Sequence, residues 1–438
     1  MNRSFGHRPR VATLANGLTV AVVHLPHLHQ AQLQLFVRSG PRYEEPDTVG
    51  LSHFCEHMLF RGAGRFTVPS DLARALEEVS GHLDAATYRD FTTLTTPYAP
   101  GGLSRALGVL QAVIGKPRFS DIEVERRIVL EEMRELEDDD GAEIDPDNLA
   151  RELLFEGHPL GRRIDGARAV VGRFTRRAVA AHHRRCFGAR NMVLVVAGPD
   201  RPAAVLGAVR RQLGRWPAGA RLPLGELPGL PRRAPRLRHV RHQGSQTELR
   251  FCFRTLGERD PQAVSLLLAR RVLDDGMGSR LQTELVDRRG LAYELWADLD
   301  LAADVGVFDF GALVEHRKVA RTVRAMLDAV VRLAQDGPTA DELRRAKQRA
   351  QWAFASAVDM PAALADWVGR GLLFDLDTDV DRMVARIRAA RPRQVRDALR
   401  AVVDPASLCL VLVGRPGRRE VSAVRRALHA LRQPRDRR

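Results

Sequence analysis

The sequence predicts an α+β fold, an α/β sandwich of two homologous domains made by internal duplication, each a mainly antiparallel sheet packed by helices. Three observations carry that expectation. Two pairs of strand-like segments recur at one offset, a proline-rich stretch separates the copies, and each copy runs from strands through long helical segments to a closing strand and helix.

The first pair opens the two halves. QAQLQLFVR, Gln30 to Arg38, alternates apolar and polar residues as a half-buried strand does, and QTELRFCFR, Gln246 to Arg254, repeats its first, fourth and last residues 216 positions on (30 to 246). The second pair closes them. MVLVVAGP runs up to Gly198, and LCLVLVGRP carries Gly414 in the same place, again 216 positions later (198 to 414). AVRRQL from Ala208 and AVRRAL from Ala423 follow as helical segments, matched to within a residue. Between Trp216 and Val240 the chain reads PAGARLPLGELPGLPRRAPRLRHV, where repeated prolines forbid regular helix. Domains of 1–217 and 239–438 with a linker of 218–238 follow.

Composition narrows the function classes. With 438 residues and 45% apolar content, the chain can bury substantial cores. No apolar run approaches the roughly 20 residues that span a bilayer, and MNRSFGHRPR carries no apolar signal region, so a cytoplasmic protein with no membrane span is expected. Cys55, Cys186, Cys252 and Cys409 lie far apart and form no CxxC pair, which excludes a disulfide framework and reads as small buried hydrophobes. The net charge of +15 is nearly all arginine, the only lysines being Lys116, Lys318 and Lys347. These cations are spread along the chain, and only the tail RQPRDRR is a concentrated basic run, so a solvated surface and no nucleic-acid partner are expected.

HFCEHMLFRG, from His53, holds the chemistry. His53 and His57 are four apart and share one face of a helix, with Glu56 beside the second histidine. Neutral imidazoles suit Zn²⁺, and a carboxylate next to two ligands can take a proton from an attacking water. The plainer alternative is a helix whose histidines are merely packed. Gly50 and Ser52 stand where a helix can begin, and MLFRGAG supplies an apolar continuation and a glycine stop. A catalytic zinc needs a third protein ligand. DIEVERRIVLEEMRELEDDD, from Asp121, is an acidic helical segment in which Glu125 and Glu132 lie seven apart, two turns, on one face, while Glu131 points elsewhere. Glu132 is the candidate ligand and Glu125 an auxiliary carboxylate; a solvated charged helix is the alternative.

HFCEHMLF, ERRIVLEEMRELEDD from Glu125, GHPLG from Gly157 and NMVLVVAG from Asn191 together resemble the pitrilysin and mitochondrial processing peptidase family of inverted-motif zinc peptidases, over essentially the whole chain. The resemblance implies a Zn²⁺-dependent endopeptidase acting on peptides or on a leader segment, with His53, His57 and Glu132 as metal ligands, Glu56 as general base and Glu125 as the family's further acidic position. It implies a substrate segment that adds to a strand edge matched by HLDAATYRDFTTL, with Asp84, Ala85 and Ala86 as contacts. Asp84-Ala85 stands where the family usually has Asn-Ala.

The second copy lacks the motif. The positions 216 beyond His53, Glu56 and His57 are Ala269, Val272 and Leu273, so this domain is expected to be the non-catalytic wall of a clamshell. DRRGLAYELW, from Asp287, resembles the family's arginine and tyrosine element: Tyr293 matches the tyrosine, a candidate donor to the oxyanion, but the arginine falls on Val286. Arg288 and Arg289 have the wrong spacing. The expectation is a heterodimer whose HxxEH-lacking homologous subunit supplies that arginine, or else a homodimer. The alternative function is a non-enzymatic core or assembly subunit. ELEDDDGAEIDPDN, Glu135 to Asn148, reads as a solvated acidic loop or an attractor of basic peptides.

Overall fold

The computed structural model describes residues 8–78, 81–227 and 235–431. The basic tail RQPRDRR and positions 228–234 of the proline-rich stretch lie outside them. Six strands form the first sheet: β1 (Arg10–Thr13), β2 (Thr19–His24), β3 (Ala31–Val37), β4 (Asp84–Thr87), β5 (Thr92–Tyr98) and β6 (Met192–Gly198), in the order β1-β2-β6-β3-β5-β4. The second sheet holds β7 (Arg236–Val240), β8 (Thr247–Leu256), β9 (Glu294–Leu301), β10 (Val305–Val314) and β11 (Cys409–Val413), in the order β7-β11-β8-β10-β9. Only β2–β6 and β7–β11 are parallel; the other neighbours are antiparallel. These are two mixed, mainly antiparallel sheets packed by helices, an α+β architecture.

The duplication extends to register. Gln34 pairs with Thr95 and Val195, while Arg250 pairs with Gly311 and Val411. Each member of the second set lies 216 positions beyond its counterpart (34 to 250, 95 to 311, 195 to 411). Gly198 and Gly414 end the closing strands at φ 156° and 149°, where a Cβ would press on Ala31 and on Thr247 respectively. Glycine alone lets the closing strand pass so near the start of its neighbour.

The chain forms two compact units that are not the contiguous halves expected. The first comprises the described residues of Met1–Glu135, Arg162–Glu226 and Ala355–Val380; the second those of Leu136–Gly161, Leu227–Phe354 and Asp381–Arg438. Each sheet has two faces to cover, and in each unit one helix from the other half of the sequence covers the second face. In the first unit, Leu33, Leu35 and Val37 of β3 join the main core, while Phe36 meets the helix Pro361–Phe374. β3 is therefore buried on both faces, Gln32 and Gln34 included, where sequence alternation suggests one. A Cβ on Gly369 of that helix would overlap the Phe36 ring. Arg38, itself buried, donates from Nη2 to the Leu373 carbonyl at 2.6 Å and so caps the C-terminal end of the covering helix.

In the second unit the covering helix is Pro146–Leu154, whose N-cap Asp145 accepts from the Asn148 amide at 2.7 Å. Leu149, Ala150 and Leu154 pack with Cys252, Val307, Cys409 and Val411 in a separate small core. Arg250 bridges Asp147 (3.3 Å) and Asp309 (3.2 Å), and Arg151 bridges Asp147 (3.1 Å) and Asp300 (2.5 Å). Part of the acidic stretch thus caps and anchors a helix. β7 begins at Arg236, so the linker read as 218–238 ends earlier than expected because parallel pairing with β11 draws its last residues into the sheet. All four cysteines are buried and unpaired. No helix among the described residues is long and apolar enough to cross a membrane.

Candidate metal centre

The motif lies on the helix Leu51–Leu59 of the first unit. Phe54, Cys55, Met58 and Leu59 face the core, which orients the opposite face, with its histidines, toward a second helix. Gly50 starts the helix at φ 95°, where any Cβ would lie 2.5 Å from the Asp165 carbonyl oxygen. No side chain of the helix itself caps this end. Glu44 does so from outside: its buried carboxylate accepts from the Gly50 amide at 2.8 Å and the Ser52 amide at 2.6 Å. Burial pushes the Glu44 carboxyl up, opposed by its bonds to Ser52 and Gly50. Beneath the helix, His182 Nε2 lies 3.1 Å from Ser52 Oγ and 3.3 Å from Ser39 Oγ.

The second helix, Ile122–Glu132, places Val129 in the core and both predicted carboxylates toward the motif. His53, His57 and Glu132 offer ligand atoms that all lie within 4.8 Å of one another. His57 Nε2 is 3.3 Å from His53 Nε2 and 3.4 Å from Glu132 Oε2, and His53 Nε2 is 3.9 Å from Glu132 Oε1. Tetrahedral ligands placed about 2.0–2.1 Å from a zinc ion are about 3.3–3.4 Å from each other. The two distances from His57 match this while the 3.9 Å from His53 to Glu132 is wider, so this donor set fits zinc in chemistry and nearly in size. Glu131 pairs with Arg134 at 2.8 Å and takes no part.

Glu125 acts one step behind. Its Oε1 is 2.8 Å from His57 Nδ1, and its other oxygen accepts from Arg61 Nε. A proton donated from Nδ1 leaves the Nε2 lone pair free for a metal, the usual role of a carboxylate behind a ligating histidine. Burial raises the Glu125 carboxyl, but the bonds to His57 and Arg61 outweigh it and the net shift is downward. His53 is pushed down to about 4 by burial and then by His57, which keeps it neutral as a ligand must be. His57 is raised: burial opposes its charge, but the Glu125 bond and the Glu56 and Glu132 carboxylates prevail.

Glu56, 9% exposed, is raised by burial, against the lowering by a 2.5 Å hydrogen bond from Thr87 Oγ1. A carboxylate moved toward neutrality is better placed to accept and return a proton. Thr87 ends β4, whose partner on one side is β5; among the described residues no strand pairs with its other side. Asp84, Ala85 and Ala86 all lie on this edge strand, with Ala85 turned into the core and Asp84 exposed. Glu44, Arg61 and Thr87 were not singled out by sequence reasoning, because each reaches its partner through the fold.

Tyr293 belongs to the second unit and is 93% exposed, so it is not packed within the chain. Val286, at the position of the expected arginine, packs against the second core. Arg288 and Arg289 pair with Glu284 at 2.7 and 3.4 Å, and Arg280 pairs with Glu342 at 2.6 Å.

Comparison with known proteins gives concordant matches. The model described as insulinase, peptidase family M16, matches residues 19–167, which contain the motif, and that described as the peptidase M16 inactive domain matches 173–350. A protein named as an uncharacterized zinc protease in Mycobacterium bovis is 31% identical over 77% of this chain and 78% of its own. A probable mitochondrial-processing peptidase subunit beta of Arabidopsis thaliana is 25% identical over 92% of this chain and 78% of its own. Among solved structures, a protease from Helicobacter pylori aligns with TM-score 0.85 at 18% identity, covering 93% of this chain and all of that one. A peptidase M16 inactive domain from Pseudomonas fluorescens aligns with TM-score 0.84 at 20% identity, covering 93% and 98%. At such identities these structures speak to the fold.

Proposed function

This chain belongs to peptidase family M16, and on that premise we propose that it is a zinc-dependent endopeptidase, the active subunit of a dimer, that hydrolyses peptides or removes a leader segment. The observation that carries the reading is the convergence of His53, His57 and Glu132, with ligand atoms within 4.8 Å of one another, beside Glu56, itself tied to an open sheet edge. The same intact set disfavours a purely structural subunit. Zinc held by these three side chains supplies Lewis acidity, easing deprotonation of water and polarising a carbonyl. His57 is held in one tautomer by Glu125, and Arg61 holds Glu125. β4 offers its free main-chain edge to an extended segment, which fixes the backbone with little demand on side chains. Glu56 takes the proton of the attacking water as its oxygen bonds to the carbonyl carbon. It then passes that proton to the amide nitrogen as the C–N bond breaks. Four unpaired, buried cysteines suit a reducing, cytoplasmic setting.

Glu56→Gln is expected to retain zinc, measured by elemental analysis, and to lose peptide hydrolysis by at least about 100-fold. Retained cleavage would sink Glu56 as the base. The dimer rests on Val286, which stands where the family arginine is expected, and on a relative named as a subunit. A partner lacking HxxEH would supply the arginine beside Tyr293. The purified chain alone should be poorly active and gain activity with that partner; full activity as a lone monomer would remove this part of the reading.

A further inference from the structure

The metal cluster accounts for one face of edge strand β4. Ala85 packs into the first core and Thr87 bonds Glu56, opposite Leu94 and Thr92 of β5. Side chains alternate along a strand. Asp84 and Ala86, opposite Thr95 and Thr93, and Tyr88 just beyond the strand's end, therefore occupy the other face. Phe36 and the helix Pro361–Phe374 line that same face, and the Phe91 ring lies 6.3 Å from Phe36 and 6.1 Å from Phe374. Tyr88 stacks on Phe91 with centroids 4.4 Å apart and an interplanar angle of 16°, yet it is 47% exposed. One face of its ring is covered by Phe91, and much of the side chain is left to solvent. Asp84 has a side chain 67% exposed, and His82 Nε2 is 2.8 Å from its carboxylate. The small Ala86 separates the two.

Resting on the peptidase reading above, we propose that Asp84 and Tyr88 select the substrate by the side chains that point away from the metal. As an extended segment lies along β4, its outward side chains meet Tyr88, Ala86 and Asp84 in turn, because every second residue of each strand shares a face. An aromatic side chain continues the stack on Tyr88, at the end of the strand where Thr87 and Glu56 place the bond to be cut. An arginine or lysine four residues away pairs with Asp84, and the position between them, over Ala86, is undemanding. Asp84 in place of a neutral asparagine thus adds a charge preference to an edge that otherwise binds main chain.

The test uses the full-length, zinc-loaded Glu56→Gln protein and a fluorescein-labelled alanine-serine peptide carrying one tyrosine and one arginine four positions apart, made in both orders. Versions with either residue replaced by alanine are titrated by anisotropy against the parent protein and against Tyr88→Ala, Tyr88→Phe and Asp84→Asn in the same background. The peptide tyrosine is expected to strengthen binding about fivefold, an advantage abolished by Tyr88→Ala and kept by Tyr88→Phe. The arginine's advantage should vanish in Asp84→Asn alone. Equal affinity for all peptides, or a Tyr88→Ala loss that is the same with and without the peptide tyrosine, overturns the proposal. Cleavage of the same peptides by the unsubstituted protein, alone and together with an HxxEH-lacking partner subunit, tests the peptidase reading separately. Cleavage in either form without the pairwise coupling removes the selectivity and leaves the peptidase, whereas coupling with no cleavage in both forms does the reverse.

Discussion

Glu125 and Glu132 share one face of a helix two turns apart, and spacing alone could not divide their tasks completely. Glu132 ends the helix with its carboxylate beside both Nε2 atoms, whereas Glu125 lies buried in its first turn and reaches Nδ1 of His57 instead. The division follows from where the helix docks. Glu125→Ala should weaken zinc binding by about 10- to 100-fold, read by competition with a chromogenic chelator, because the His57 ring loses the partner that fixes its tautomer. An unchanged zinc affinity would return Glu125 to the status of a bystander. Tyr293 shows the opposite limit of sequence reasoning: its motif is legible, but its nearly full exposure gives it no fixed task within the chain.

At the scale of elements, alternation in β3 and β8 signalled strands, and the 216-residue offset carried their register without a slip. The helices that cover their second faces left no such mark, because what a helix packs against is a non-local choice. The two seats differ in kind. Pro361–Phe374 rests on close approach, Gly369 to Phe36, while Pro146–Leu154 is held partly by charge, with Asp309 only 1% exposed behind Arg250. Burial pushes the Asp309 carboxyl up, opposed first by Arg250. Arg250→Ala leaves Asp309 buried without its cation and should cost about 3–5 kcal/mol, seen as a lower denaturation midpoint. An unchanged midpoint would mean that Arg250 contributes nothing to this seat.

For the whole molecule, buried histidines set the response to acid. His182 is pushed down to about 3 by burial and then by Arg185, and His183 to about 4 by burial, although a bond to the Ile114 backbone pulls it up. Both stay neutral in the folded protein while the unfolded chain takes up protons near pH 6.5. Their contribution is intact above about pH 6.5 and lost as pH falls from there toward 4. At pH 5 the loss is up to about 2 kcal/mol for each. Glu44, raised by burial, works in the other direction at low pH, so the clean measurement is a difference. Urea denaturation at pH 7 and pH 5 should show a smaller acid loss for His182→Asn than for the parent; equal losses would mean that His182 titrates normally in the fold.

The sequence by itself determined the strands, the doubled α+β plan, the helical HxxEH motif and a candidate third carboxylate on a later helix, since all of these depend on periodicities and spacings within short segments. Two strand matches at one offset were enough to foresee two sheets, and HxxEH with a glutamate on a later helix was enough to foresee a cluster. Only the tertiary structure decided that each sheet is closed by a helix from the other half, that Glu44 caps the motif helix from outside, and that Thr87 ties Glu56 to a free edge. Those outcomes hinge on which surfaces meet. A buried face must be covered and a buried carboxylate must be bonded, but the chain does not mark beforehand which distant residue will do either.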